Sequence, residues 1–298
     1  MSKEYDISVL EKLTDIKAHT IRIWEQRYKL LNPERTSTNI RVYKDKDLQK
    51  LLNVKLLLDY GYKISEVAGM SDEKIKNTIT NILKTNGSSG HFMIEYFINE
   101  LLIATEELDE LNFERTYLNA INKYGLYKTM KDVIYPLMRK IGIMWSLGDI
   151  SPLQEHFASQ IIIRKIQSAI DALELVYYSK TSYALFLFPE EYHQIPLLFA
   201  NYILRSHKKK TYYLGEDVPI ENISTLTKDK KIDYLVSFIT SNLDKKNIAA
   251  IERLIKHLPD DTSLIIGTSK ENANNIQKHI HSKKIIYTSS MEEFIRII

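Results

Sequence analysis

Between Asn32-Pro33 and Tyr43 the chain carries Arg35, Thr36, Thr38, Asn39 and Arg41. Guanidinium groups interleaved with short hydroxyl and amide side chains make charge-assisted hydrogen bonds to phosphate oxygens. Just upstream, His19, Arg22, Ile23 and Gln26 fall on one side of a helical repeat, opposite Ile21, Trp24 and Tyr28. Polar and basic side chains on the outer face of a short helix can read base edges in a major groove. From Lys17 to Lys50 nine Lys/Arg stand against four Asp/Glu, whereas beyond Ile75 the counts are 27 and 26. The net charge of +3 is therefore concentrated where these residues lie. A local basic surplus is the electrostatic footprint of a phosphate-binding element.

Other chemistry finds little support. With no cysteine there can be no disulfide, thiolate metal site or cysteine nucleophile, and a reducing cytoplasm is expected. None of the nine glycines is in G-x-G spacing, and no Ser/His/Asp arrangement is legible, so no enzyme is expected. No apolar run approaches the roughly 20 residues that span a bilayer. Met1–Asp6 is too polar to open a signal peptide, so neither membrane nor export is expected.

The elements that must position these residues separate into blocks, as expected for a chain of 298 residues. Residues 1–83 read as short helices around a Pro-containing loop, Leu31–Val42. Ile7, Leu10, Leu13 and Ile16 stripe a first helix, Thr14-Asp15 turns, and Lys17–Tyr28 forms the second. Lys84–Gly90, KTNGSSG, has no apolar residue and reads as a flexible linker. Residues 91–180 are helical throughout and predict a four-helix bundle. Its helices carry Phe92–Leu102, Phe113–Tyr124, Tyr127–Trp145 and Phe157–Leu173, with a break over Gly148, Asp149, Ser151 and Pro152. In residues 181–298 the strands Tyr183–Phe188, Thr211–Leu214, Tyr234–Ile239, Ser263–Ile266 and Lys284–Tyr287 alternate with helices such as Ile195–Ser206 and Lys246–His257, and Met291–Ile298 ends the block. That rhythm predicts an α/β doubly wound, flavodoxin-like parallel sheet of five strands, with ligands at the strands' carboxyl ends.

The stretch ISVLEKLTDIKAHTIRIWEQRYKLL, followed by P-x-R-T-x-T-NIRVY, resembles the opening of MerR-family transcriptional regulators over about 70 residues. The resemblance implies a winged helix-turn-helix braced by two more helices, Lys46–Asp59 and Ile64–Ile82. It assigns DNA contact to His19, Thr20, Arg22, Arg27, Tyr28, Arg35, Asn39, Arg41 and Tyr43. One departure is visible. Most relatives continue into a long dimerising coiled coil, whereas here a linker follows Leu83, so oligomer contacts must come from the later domains.

Trp145, nine residues, then Glu155-His156 is similar to the cobalamin-sensing branch of that family, as is the order of bundle and doubly wound sheet. In that branch the bundle residues cap the upper face of the corrin. A histidine after the first strand, in an Asp-x-His-x-x-Gly pattern, reaches the cobalt from below. The resemblance thus assigns cofactor binding to Trp145, Glu155, His156, Glu191, His193, Ser237 and Gly267, with His193 as the cobalt ligand and Glu191 in the Asp's place. Pro196 stands where the pattern has Gly, Ile266-Gly267 keeps one glycine of two, and Ile266 adds bulk where the nucleotide tail should enter. Ser146 stands where light-sensing relatives often carry a second His.

The sequence therefore reads as a cytoplasmic, non-enzymatic regulator of a double-stranded DNA operator, assembled as a homo-oligomer (dimer or tetramer) through its C-terminal domains. Adenosyl- or methylcobalamin is the expected cofactor. Two other readings stay open: a module that has lost its ligand and serves only oligomerisation or partner binding, and a corrinoid carrier in methyl transfer.

Overall fold

The computed structural model describes residues 4–36, 38–84, 90–146, 151–178, 180–240 and 243–298. Asp6 caps α1 (Ile7–Thr14) by accepting from the Ser8 N–H at 3.2 Å, and Val9, Leu10 and Leu13 turn one face inward. Asp15 then reverses the chain in the left-handed region at φ 57°, a conformation short polar residues tolerate. After α2 (Ala18–Tyr28), Lys29 repeats the device at φ 54° and its N–H donates to the Glu25 carbonyl.

The loop expected after α2 is a hairpin. β2 (Glu34–Arg35) pairs antiparallel with β3 (Arg41–Lys44), and β1 (Glu4–Tyr5) pairs with the other edge of β3, giving the order β1-β3-β2. Two-residue strands carry no readable alternation, which is why β1 and β2 escape sequence analysis. α3 (Asp45–Asp59) follows, with Asp47 accepting from the Lys44 N–H at 2.8 Å. The single helix expected from Ile64 to Ile82 is two: α4 (Ile64–Val67) and α5 (Asp72–Lys84). The cause is local. Gly69 is a poor helix former, and the Ser71 hydroxyl caps α5 by accepting from the Lys74 N–H at 3.2 Å.

The chain divides into two compact units, Met1–Ala158 and Ser159–Ile298. In the first, the winged head shares a core with α6 (Gly90–Glu107), α7 (Glu110–Thr129), a π-helical turn Met130–Ile134 and α8 (Tyr135–Ser146). α3 packs on α6 and α1 on α8. Tyr60 meets Phe92 edge-on at 5.1 Å. The Tyr5 hydroxyl lies 2.8 Å from carboxylates of both Asp45 and Glu106. Of the flexible joint expected over Lys84–Gly90, 85–89 lie outside the described residues, as do Gly148 and Asp149, but the head packs directly on the helices beyond. Gly125, at φ 74°, interrupts α7 where a break between helices was expected. α9 (Pro152–Asp171) runs across the division between the units.

The second unit is a parallel sheet in the order β5-β4-β6-β7-β8, built from β4 (Ser182–Phe186), β5 (Lys210–Gly215), β6 (Tyr234–Ile239), β7 (Ser263–Thr268) and β8 (Ile285–Thr288). The helices α10 (Gln194–Ser206), α11 (Ile220–Asp229), α12 (Lys245–His257), α13 (Lys270–His279) and α14 (Met291–Ile297) complete the alternation read in the sequence. β4 is buried at every position, as a central parallel strand covered on both faces must be. One face packs Ala184, Phe186, Leu235, Ile239, Leu264 and Ile266 against Ile223, Ile251, Leu254 and Ile276. Pro196 sits in the first turn of α10, where a missing N–H costs nothing.

Candidate nucleic-acid interface and cofactor site

α2 exposes His19, Arg22, Ile23, Gln26 and Arg27 and half-covers Thr20 and Tyr28. The Arg27 guanidinium lies 5.3 Å from the centre of the Tyr28 ring. The inward positions are Ile21 and Glu25; Trp24 and Tyr28, expected in the core, are half-buried. In the wing the Thr36 N–H donates to the Ile40 carbonyl at 2.9 Å, and Asn39 takes φ 66° to close the tip. Arg35 Nη1 donates to Asn39 Oδ1 at 2.8 Å, which lays the exposed guanidinium along the tip.

Glu25 holds the two elements together. Its carboxylate accepts from Arg41 Nε at 2.9 Å and from the Tyr43 hydroxyl. Tyr43 is 0% exposed, which corrects its assignment as a DNA contact: its hydroxyl is spent inside the head. Burial, then the bond to Glu25, pushes the Tyr43 phenol above the usual tyrosine range. Arg41 is half-buried, with one nitrogen committed to Glu25.

In the second unit, β4 ends toward a turn carrying Glu191 and His193. Glu191 is 2% exposed, and its Oε1 lies 2.5 Å from His193 Nδ1 while also accepting the His193 N–H at 3.1 Å. Its Oε2 accepts from the Thr240 N–H, just past β6, at 3.2 Å. A buried carboxylate thus fixes the imidazole, whose side chain is 62% exposed. An imidazole held through Nδ1 keeps Nε2 as its remaining ligand atom. The residues present fit a metal-bearing group on that side.

Two further positions differ in character. Ser237 is 0% exposed, and its Oγ has no hydrogen-bond partner among the described residues. Gly267 lies in register with Phe238, and a Cβ there would fall 2.3 Å from the Phe238 ring. In the sequence, Ile266 is the residue expected to crowd the tail's entry. That is corrected: Ile266 is 0% exposed within the core face, and Phe238 covers Gly267.

In the first unit Trp145 ends α8 at 57% exposure, so it is not a core tryptophan. Glu155 and His156 lie in the first turns of α9, with His156 Nδ1 3.2 Å from Glu155 Oε2.

Known proteins match both regions. The model of the MerR HTH family of regulatory proteins matches residues 5–74. Over 89 residues, 27% of this chain, the sequence is 34% identical to the HTH-type transcriptional regulator GlnR of Bacillus anthracis, covering 68% of that protein. The chain belongs to the MerR family of helix-turn-helix regulators. In this MerR-family chain, residues 97–169 further match the model of a B12 binding domain. The HTH-type transcriptional repressor CarH of Myxococcus xanthus is 27% identical over 267 residues, 89% of each chain. CarA, a repressor of the same organism, is 21% identical over 98% of this chain and 95% of its own length. The monomethylamine corrinoid protein of Methanosarcina barkeri shares the fold, with TM-score 0.52 at 14% identity over 68% of this chain and 97% of that one.

Three residues of this MerR-family chain escaped sequence analysis. Glu25 reads as one more polar residue of an exposed helix, because its partners lie 16 and 18 positions away. Thr240 acts through its backbone, which leaves no sequence signal. Phe238 looks like an ordinary strand residue until its register against Gly267 is known.

Proposed function

We propose that this regulator binds a double-stranded DNA operator through α2 and the wing, under control of a cobalamin carried by its C-terminal part. His19, Thr20, Arg22, Arg27 and Tyr28 on α2, with Arg35, Asn39 and Arg41 on the wing, form the DNA face. In functional terms the head spans residues 1–83, a cap-like bundle 91–180 and the sheet 181–298. Operators read by such domains are pseudo-palindromic, so the active form is a homo-oligomer, a dimer or tetramer.

The observation that carries the cofactor reading is the Glu191–His193 pair: a buried carboxylate on Nδ1 of an exposed imidazole at the carboxyl edge of a doubly wound sheet. His193 would hold the metal, Glu191 would fix the ring and its tautomer, and Ser237 and Gly267 would lie along the nucleotide tail. Trp145, Glu155 and His156 are assigned to the corrin's upper side on the family pattern. Adenosyl- or methylcobalamin would supply cobalt–carbon chemistry there, and its binding would set the oligomeric state of the C-terminal module and hence DNA affinity. Methyl carriage in an enzyme complex is disfavoured, because a carrier has no use for a major-groove reader.

A second reading has its own observation. The Phe238 ring over Gly267 favours a sheet closed to the tail, in a module that serves only oligomerisation or partner binding. The test is the absorption spectrum of the full chain after mixing with adenosyl- or methylcobalamin and desalting. A retained corrin band, with DNA affinity that differs between the loaded and unloaded protein, is expected. A clean protein spectrum would leave the second reading.

A further inference from the structure

Among the described residues of the head, Ile23 and Ile40 are the large apolar side chains left strongly exposed, at 49% and 57%. The others are buried, as Leu10, Leu13, Ile21, Leu51, Leu57 and Val67 are at 0% exposure, or half-buried, as Trp24, Tyr28 and Leu58 are. Both exceptions lie on the elements that form the proposed DNA face: Ile23 on α2 and Ile40 at the wing tip. Within the head these two exposed aliphatic side chains thus fall on the same elements as the exposed Arg22, Arg27 and Arg35.

Their surroundings differ. Ile23 stands between Arg22 and Trp24, and its exposed helical neighbours one turn away are His19, Gln26 and Arg27. Those side chains hydrogen-bond. A branched aliphatic cannot, and the apolar feature that the major-groove edge offers it is the C5-methyl of thymine. Ile40 follows the left-handed Asn39 in a hairpin, beside Arg35, a setting suited to phosphate and sugar.

We propose that Ile23 is a specificity-determining residue that reads a thymine methyl in the operator. The proposal rests on the reading of α2 as the major-groove element, and it adds the base that this residue selects.

The test uses the full chain and an operator selected from a randomised duplex library. Each thymine of that operator is replaced in turn by uracil, which pairs identically and lacks only the methyl. Loss of one buried methyl predicts about fourfold weaker binding at one thymine per half-site. Ile23→Ala should bind the thymine and uracil versions of that position alike. Ile40→Ala should keep the wild-type discrimination while weakening binding to all versions. Both side chains are exposed, so neither variant should lose its fold, and circular dichroism checks this. If no thymine-to-uracil change weakens the wild type, or if Ile23→Ala discriminates as the wild type does, Ile23 does not read a methyl although DNA binding stands. If no operator can be selected, the DNA reading itself fails and the inference falls with it.

Discussion

The carboxylate of Glu25 on α2 accepts the hydroxyl of Tyr43 on β3, 18 positions later and fully buried. The same carboxylate takes Arg41, so the distance between the two proposed DNA-reading elements is set by one side chain inside the head. Glu25→Ala strands the Tyr43 hydroxyl without an acceptor. It should cost about 1–3 kcal/mol in urea unfolding of the full chain. Glu25→Gln keeps an acceptor for Tyr43 and should cost less. Equal losses would show that the carboxylate's charge, and not its hydrogen bonding, is what matters.

Tyr5 and Tyr43 carry an alkaline prediction. Both phenols are raised above the ordinary value of 10.0, by burial first and then by carboxylates, Glu106 and Asp45 for Tyr5 and Glu25 for Tyr43. A phenol that keeps its proton longer when folded stabilises fully below its unfolded pKa. That contribution declines as pH climbs from about 10 toward the folded value, because only the unfolded chain releases the proton. Urea midpoints should therefore fall above pH 10. The fall should be shallower in Tyr5→Phe and Tyr43→Phe than in wild type; parallel curves would contradict it.

On the DNA face, Arg22→Ala should weaken binding to the selected operator by about 1–3 kcal/mol. Arg35→Ala, on the exposed wing tip, should weaken all sequences alike and lower the salt slope by about one. Arg41→Ala should do both less cleanly, since it also breaks the tie to Glu25. Titrations at several salt concentrations separate these outcomes, and wild-type affinity in both Arg22→Ala and Arg35→Ala would sink the winged-helix reading of this face.

At the sheet edge, His193→Ala should loosen corrin binding and shift the bound spectrum to the base-off form. Glu191→Gln should retain the corrin with weaker base-on character, because the amide orients the ring without sharing its charge. A His193→Ala spectrum identical to wild type would remove His193 from the cobalt.

Gly267→Ala should destabilise the second unit by about 1–3 kcal/mol, since its Cβ would sit 2.3 Å from the Phe238 ring. Phe238→Ala opens the same space. Corrin uptake by Phe238→Ala and not by wild type would identify a pocket closed by that ring.

Local pattern determined much of this protein. Short apolar, β-favouring runs placed the C-terminal strands within two residues of their observed ends, because each run is written in adjacent residues. The exposed face of α2 followed from spacing in the same way, and the Glu191–His193 pair was legible because Glu-x-His resembles the family's Asp-x-His within three adjacent residues. Only the tertiary structure decided the rest. A two-residue strand such as β1 exists because β3 offers it an edge, and Tyr43 left the DNA face because Glu25 lies beneath it. Phe238, not Ile266, covers Gly267 because the register of β6 on β7 brings them side by side. The Lys84–Gly90 segment likewise suggested a free joint, while Tyr60 against Phe92 and Tyr5 on Glu106 pack the head onto the helices. Each of these rests on partners distant in sequence, whose meeting depends on how whole elements pack and leaves no periodic trace along the chain.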